Sequence, residues 1–142
     1  MVSEENALAG YAGLVGNTLF PLNENRKFKR QFKNKNLKIL MNCPVWIYAA
    51  LIVIEKGTIR VDGIKNKPIE NISKNTLHWD LYLDMDIVLY AAILSNRKSL
   101  FDLARDWFRG EIKLKGIRRI PELIKLFNCL FKEKLEYNPL PE

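Results

Sequence analysis

The chain contains 142 residues with a formal net charge of +7, and 48% of the residues are hydrophobic while 27% are charged. A chain of this length is expected to form one domain, residues 1–142, and its apolar content does not fit intrinsic disorder. The longest apolar run, residues 45–54, is shorter than the roughly 18 residues that cross a bilayer, so it predicts a buried strand instead.

Acidic side chains stand near the start of the chain, where a secretory signal has positive charge, so a cytoplasmic location is expected. Ser3 can cap a first helix at this point. Apolar residues at helical spacing follow and predict a helix that faces a sheet. This stripe consists of Leu8, Tyr11, Leu14, Val15 and Leu19.

A strongly basic segment follows Pro21. As a short helix it would carry Phe28 and Phe32 as an aromatic stripe surrounded by cations. The residues predicted to contact an anionic surface are Arg26, Lys27, Lys29, Arg30, Lys33 and Lys35. That surface could be a membrane or the phosphates of a nucleic acid. Solvated charge that only keeps the chain in solution explains the segment equally well.

Four strands are predicted before the C-terminal helices begin. Alternating apolar residues over 37–43 predict the first strand, and residues 48–54 and 58–64 predict a hairpin. The polar run 65–75 predicts a loop. Over residues 77–83, apolar side chains alternate with polar ones, which predicts a fourth strand with one buried face.

Helices dominate the remainder of the chain. Residues 87–94 and 99–108 predict two helices, and Pro121 can open a last helix that leads to a frayed tail at 136–142. Between them, residues 110–116 predict a short strand. Strands that pair early and helices gathered at the end describe an α+β domain with helices packed on one face of the sheet.

Specific stretches of sequence accompany this order of elements. It includes Asp80-Leu-Tyr-Leu-Asp-Met-Asp86, the helical residues 91–94 and 99–108, and Gly110-Glu-Ile-Lys-Leu-Lys-Gly116. Together these stretches resemble the sterol carrier protein type two family over residues 76–131, which are 56 of the 142 residues. The resemblance implies a single mixed or antiparallel sheet of about five strands with helices on one face.

In that family a ligand lies in an apolar tunnel against the sheet, and the closing helix forms part of the wall. The resemblance therefore implies non-enzymatic binding or transfer of a hydrophobic lipid of the fatty-acyl, isoprenoid or sterol-like class. The lipid-binding residues carried over by position are Leu81, Leu83, Leu103, Trp107, Phe108, Ile112, Leu114, Ile124, Phe127 and Phe131. Each is equally explained as close-packed core, since protein interiors normally pack as densely as crystals.

Catalytic chemistry is scarce in this sequence. His78 is the only histidine, and no serine stands out in a nucleophile–base arrangement. Asp80, Asp84 and Asp86 could hold a metal, but helix capping explains them more simply. Two cysteines within apolar patterns are expected to be buried free thiols, Cys43 and Cys129. No enzyme activity, cofactor or metal is expected.

Two other function classes stay open on the sequence alone. A nucleic-acid-binding protein could use the basic segment for phosphates and Phe28 and Phe32 for bases, although no helix-turn-helix or ribonucleoprotein motif is recognisable. A protein–protein interaction or dimerisation module would instead use exposed apolar surface. Both a monomer and a dimer are compatible with the sequence, and salt-dependent binding of oligonucleotides would distinguish the first class from the second.

Overall fold

The computed structural model describes residues 10–94, Arg105 and residues 113–137, with side chains up to Leu130 in the last segment. The strands are β1 (Asn36–Asn42), β2 (Tyr48–Glu55), β3 (Thr58–Lys65), β4 (Leu81–Asp84) and β5 (Leu114–Lys115). They form one five-stranded sheet in the order β3-β2-β1-β4-β5. β1 and β4 are parallel and the other neighbours are antiparallel, so the sheet is mixed.

Helices flank the strands in sequence. They are α1 (Gly10–Leu19), α2 (Arg26–Gln31), α3 (Lys74–Leu77), α4 (Ile87–Leu94) and α5 (Ile120–Tyr137), with 3₁₀ helices at Phe20–Glu24, Ile69–Ile72 and Ile117–Arg119. Pro121 lies in the first turn of α5, where a missing amide hydrogen costs nothing. The predicted α+β class and the sheet of five strands are thereby confirmed.

Some predicted elements fall only partly on the described residues. The predicted helix 99–108 lies outside them apart from Arg105, and only residues 113–116 of the predicted strand 110–116 lie within them. α5 continues to Tyr137, two residues into the segment predicted as a frayed tail. Residues 138–142 lie outside the described part of the chain.

One face of the sheet packs against α1, α2, α4 and α5. Alternate residues of each strand point to this side, because successive side chains of a strand face opposite ways. The sheet contributes Leu37, Ile39, Met41, Ala50, Ile52, Ile54, Leu81 and Leu83. The helices contribute Tyr11, Val15, Leu19, Phe28, Tyr90, Ile93, Leu123, Leu126 and Phe127. We call this cluster the helix-side layer.

The opposite face of the sheet is covered by the segment between β3 and β4. A second cluster on that face consists of Leu40, Ala49, Leu51, Val53, Ile72, Trp79 and Tyr82. Residues 65–75 were predicted as a loop, but they contain the 3₁₀ helix Ile69–Ile72 and the start of α3. Ser73 caps α3, because its Oγ accepts a hydrogen bond from the Thr76 amide at 3.2 Å. The Trp79 indole donates to the Ile72 carbonyl at 3.0 Å.

β4 begins four residues later than predicted. The alternating pattern from Leu77 favoured a strand, but Leu77 ends α3 and His78 follows with a left-handed φ of 56°. The Asp80 amide donates to the Lys38 carbonyl at 2.8 Å, and Asp80 Oδ2 accepts from the Lys38 amide at 2.9 Å. The helix cap and the turn at His78 thus outweigh the local alternation, and the prediction for residues 77–80 was wrong.

The apolar run 45–54 is divided between a loop and a strand. Residues 49–54 are buried in β2, whereas Val45 and Ile47 are 86% and 67% exposed. The Trp46 amide donates to the Cys43 carbonyl at 2.9 Å, which closes a turn at this point. The prediction of buried strand was therefore wrong for residues 45–47, which with Pro44 form what we call the apolar loop.

The two ends of the sheet are formed by different segments. At one end, which we call the basic end, the β2–β3 turn lies beside the basic segment: the Lys56 amide donates to the Lys35 carbonyl at 2.9 Å. A Cβ at Gly57 would lie 3.3 Å from the Lys29 carbonyl oxygen, so the two backbones are in close contact. At the other end, the loop end, the apolar loop joins β1 to β2. The seven residues of β1 separate the ends by about 23 Å.

Candidate functional site

The helix-side layer brings together four of the residues predicted to bind lipid. Leu81 and Leu83 of β4 are fully buried, and Phe127 of α5 is also buried. Leu114 of β5 packs against the same cluster with part of its surface exposed. The layer therefore lies between the sheet and the closing helix, where the candidate site was predicted, and the role of these residues in binding stays a prediction.

Ile124 lies outside the layer, although it was predicted to line the site. Its side chain is 41% exposed. α5 buries a stripe that recurs every three or four residues, and Ile124 lies about 100° around the helix from Leu123. The buried stripe consists of Leu123, Leu126, Phe127 and Leu130. Packing against α2 and the sheet selects that stripe from a helix whose apolar residues cover more than one face.

The other candidates lie beyond the described side chains. Leu103, Trp107, Phe108 and Ile112 are outside the described residues. Phe131 falls within the range of α5, but its side chain is also outside the described part of the chain. Their assignment to a lipid-binding site stays a prediction.

Polar atoms inside the helix-side layer were not predicted. Thr18 Oγ1 of α1 lies 3.0 Å from the Val15 carbonyl and 2.6 Å from the Tyr90 hydroxyl, and the Thr18 hydroxyl can donate to either oxygen. Burial raises the pKa of the Tyr90 phenol to about 12, and the Thr18 hydrogen bond partly opposes that rise. Tyr11 packs edge-on against Tyr90, with ring centroids 6.4 Å apart.

The hydroxyl of Tyr11 is the unusual atom of the layer. Tyr11 is 1% exposed, and its hydroxyl has no hydrogen-bond partner among the described residues. Burial, more than any neighbouring charge, raises the pKa of this phenol well above its ordinary value. An unpaired buried hydroxyl costs about 1–3 kcal/mol. A polar atom placed beside it would recover that loss, and nothing in the apolar stripe of this helix indicated the property beforehand.

A buried polar cluster lies at the loop end, on the face of the sheet away from the main helices. The Tyr82 hydroxyl donates to Asp84 Oδ1 at 2.6 Å, and Asn66 Nδ2 donates to Asn42 Oδ1 at 3.0 Å. Asn42 Nδ2 lies 3.4 Å from the Tyr82 hydroxyl. Burial and the Asp84 carboxylate raise the pKa of Tyr82 to about 12. This cluster joins the ends of β1 and β4 to the chain that follows β3.

The aromatic residues of the basic segment are buried. Phe28 and Phe32 are both 0% exposed and stack on each other with ring centroids 5.0 Å apart. The sequence hypothesis that they would stack on nucleic-acid bases is therefore wrong, because both rings face the core. Phe28 lies in α2 and Phe32 directly follows it, and their spacing of four residues places both rings on the buried side.

The cations of the basic segment differ in their surroundings. Arg26, Arg30 and Lys33 are exposed, whereas Lys35 Nζ lies 3.9 Å from a Glu122 carboxylate oxygen. Lys29 Nζ lies 3.4 Å from the Gly57 carbonyl oxygen. The exposed cations are thus available to an anionic surface at the basic end.

An open cleft of about 430 Å³ also lies at the basic end. Its lining residues are Val53, Glu55, Lys56, Thr58, Ile59 and Arg60. Arg60 forms ion pairs with Glu55 at 2.8 Å and with Asp62 at 3.3 Å, and all three side chains are at least partly exposed to solvent. Three of the six lining residues, Glu55, Lys56 and Arg60, are charged, and the cleft is open to solvent.

The acidic and sulfur-bearing residues have structural roles. Asp86 Oδ1 accepts a hydrogen bond from the Leu89 amide, which caps α4, and Asp80 and Asp84 are held by the bonds already described. Cys43 and Cys129 are buried thiols, as predicted, and Cys129 Sγ donates to Gln31 Oε1 at 3.3 Å. Among the described residues, no group of three histidine, cysteine or acidic side chains is placed to hold a metal ion.

A solved structure described as UbiJ-SCP2 Ubiquinone synthesis protein has the same fold, with a TM-score of 0.58 and 12% sequence identity over 99% of this chain and 99% of that chain. The mixed five-stranded sheet with its helices is therefore an SCP2-like fold. No protein-family model matches the sequence, and no curated protein matches it either. Within the described residues, no helix is both long enough and apolar enough to cross a bilayer.

Proposed function

We propose that the chain is a single, non-enzymatic domain that binds and transfers a hydrophobic lipid of the fatty-acyl, isoprenoid or sterol-like class. The observation that carries this proposal is the SCP2-like fold over 99% of the chain. The similar structure is that of a ubiquinone synthesis protein, which supports the isoprenoid class among the three. A cytoplasmic location is part of the same proposal.

The proposed binding site is the helix-side layer. Leu81, Leu83, Leu114 and Phe127 would contact the hydrocarbon part of the ligand, together with the predicted residues Leu103, Trp107, Phe108, Ile112 and Phe131. The Tyr11 hydroxyl would hydrogen-bond to a polar atom of the ligand, because it is buried without a partner among the described residues. A lipid with one oxygen function and a long apolar body fits this combination.

Native mass spectrometry of the purified chain tests the proposal. We expect a copurifying lipid mass, or binding from a panel of fatty acids, isoprenoids and sterols. Bound ligand should also raise the melting temperature, since a ligand present at about 100 times its Kd stabilises the folded state by about 2.7 kcal/mol. No bound lipid and an unchanged melting temperature across the panel would contradict lipid binding.

A matched pair of variants locates the site. Leu83→Trp adds volume inside the helix-side layer, whereas Ile124→Trp adds a similar ring on the exposed face of α5. We expect Leu83→Trp to reduce lipid affinity by about tenfold or more. Overpacking should also lower its free energy of unfolding by about 1–3 kcal/mol. Ile124→Trp should leave lipid affinity unchanged. Equal losses in both variants would place the ligand elsewhere.

The basic segment supports a reversible contact with an anionic membrane as part of the transfer cycle. Each Lys or Arg near such a surface contributes about 1 kcal/mol. The double variant Arg30→Glu with Lys33→Glu should weaken binding to anionic vesicles at low salt, measured by cosedimentation. The nucleic-acid alternative has lost its stacking residues, so oligonucleotides should bind only through charge, and this binding should be lost as the salt concentration rises.

A further inference from the structure

The apolar loop displays hydrophobic side chains that the core does not use. Val45 is 86% exposed, Ile47 is 67% exposed and Trp46 is 38% exposed. Single exposed apolar residues are normal on a protein surface, but three in a row at the tip of a connection form a compact apolar projection.

Hydrogen bonds hold this projection in place. Asn66, which is 4% exposed, donates its backbone amide to the Ile47 carbonyl at 3.0 Å and its Nδ2 to the Trp46 carbonyl at 2.7 Å. The Trp46 ring lies against the start of α1, since a Cβ at Gly10 would be 2.9 Å from it. The loop therefore has a fixed backbone that presents Val45 and Ile47 to solvent, although burial would be favourable for both.

Exposed lysines lie at the same end of the sheet as the projection. Lys65 is paired with Tyr48 in the β2–β3 register, one residue beyond the loop, and both Lys65 and Lys67 are exposed. Lys113 is also exposed, and its carbonyl accepts from the Asp84 amide at 2.9 Å at the same end of the sheet. The Asp84 carboxylate is engaged by Tyr82 and the Asp86 carboxylate caps α4.

We infer that the apolar loop inserts into the headgroup region of an anionic phospholipid bilayer. Trp, Val and Ile on a projection with lysines beside them match the interfacial region of a bilayer, where aromatic rings lie at headgroup level and cations pair with lipid phosphates. A stable protein interface buries about 800 Å² on each partner and needs a complementary surface, whereas a bilayer accepts a small convex tip.

This contact differs from the proposed contact of the basic segment in position and in chemistry. The apolar loop lies at the loop end, about 23 Å away along β1. Insertion of apolar side chains persists when salt screens charges, while contact through the exposed cations of α2 alone does not. At about 1 M salt, where the Debye length is about 3 Å, membrane binding should therefore depend on the loop.

Vesicle flotation of the full chain tests the inference. The vesicles contain phosphatidylcholine with phosphatidylserine, and the variant is Val45→Ser with Ile47→Ser. We expect the partition coefficient of the double variant to fall by about tenfold or more at about 1 M salt. The control is Phe20→Ser, which removes an equally exposed apolar side chain, 69% exposed, at the far end of α1. It should bind as the original chain does.

A second measurement follows Trp46 directly. Brominated phospholipids should quench the fluorescence of the original chain more than that of Trp46→Phe, because Trp46 enters the bilayer, while Trp79, which is buried, and Trp107 are present in both proteins. The inference is overturned if the original chain fails to float, or if the double variant floats equally well. It is also overturned if the double variant converts a dimer to a monomer in sedimentation without changing flotation, which would make the loop a contact between copies. Lipid occupancy by native mass spectrometry is independent of each result, so it separates this inference from the proposed function.

Discussion

The two ends of the sheet differ in where their apolar side chains lie. At the basic end, Phe28 of α2 and Phe32, which follows α2, are buried, while Arg26 and Arg30 of α2 are exposed. At the loop end, the buried side chains include Asn42 and Asn66, and the exposed ones include Val45. Folding alone explains the first arrangement, because it removes aromatic surface from water and leaves charge solvated. The second arrangement runs against that tendency, which points to a surface with a binding role.

The largest expected effect concerns the aromatic pair at the basic end. Phe28→Ala should lower the free energy of unfolding by about 3–5 kcal/mol, because it leaves a cavity beside Phe32 in the core. Urea unfolding measures this change. Arg30→Ala, on the exposed side of the same helix, should stay within about 0.5 kcal/mol. Similar small losses in both variants would show that the aromatic side of α2 is not core.

Alkaline pH should destabilise the fold through its buried phenols. The pKa of Tyr90 is raised from 10.0 to about 12 in the folded state, so the unfolded chain ionises first as the pH rises. The contribution of Tyr90 to the free energy of unfolding is therefore complete below pH 10. Towards pH 12 this contribution is lost, which lowers the free energy of unfolding by about 2–3 kcal/mol. The free energy of unfolding between these pH values should fall less steeply in Tyr90→Phe. Parallel slopes in the two proteins would rule out this phenol as the cause.

The hydrogen bonds that Asn66 donates to the apolar loop predict an intermediate loss of stability when this residue is replaced. Asn66→Ala removes the donors to the Trp46 carbonyl and to Asn42 Oδ1, and it should cost about 2 kcal/mol. Urea unfolding again measures the loss. Asn71→Ala is the control, because its Nδ2 donates to the Lys67 carbonyl at 3.2 Å in an exposed position. If Asn66→Ala cost no more than the control, the loop would be held by other contacts.

The smallest expected change in stability concerns Tyr11. Tyr11→Phe keeps the ring and removes a hydroxyl that has no hydrogen-bond partner in the described part of the chain, so the free energy of unfolding should rise by about 1 kcal/mol. Tyr90→Phe removes a paired hydroxyl and should lower it by about the same amount. Affinity for an oxygen-bearing lipid should fall in Tyr11→Phe, as measured by thermal shift. A loss of stability in Tyr11→Phe would mean that its hydroxyl is paired.

Much of the fold could be predicted from local patterns. The alternation over residues 37–43 predicted β1, and residues 48–54 and 58–64 predicted the β2–β3 hairpin. The motifs from Asp80 to Gly116 favoured an SCP2-like fold, and the similar structure confirms it. These signals are readable because a strand or helix that buries one face needs apolar residues at a fixed period.

Three of the errors share one cause, which is that the apolar or charged character of a segment does not determine what each side chain will face. Val45 and Ile47 belong to an apolar run that continues into β2, yet they are exposed. Ile124 lies between buried residues of α5 and points outward. Phe28 and Phe32 stand among cations and are buried. In each case the contacts with other elements decided the direction of the side chain.

The sequence by itself determined the class of the fold, the order of most strands and the excess of positive charge, since these follow from composition and local periodicity. Only the tertiary structure decided that Tyr11 is buried without a hydrogen-bond partner among the described residues and that the apolar loop is held out from the core. Both features depend on atoms contributed by residues far apart in the chain. Packing fixes where residues from distant segments lie relative to one another, and no local pattern encodes these positions.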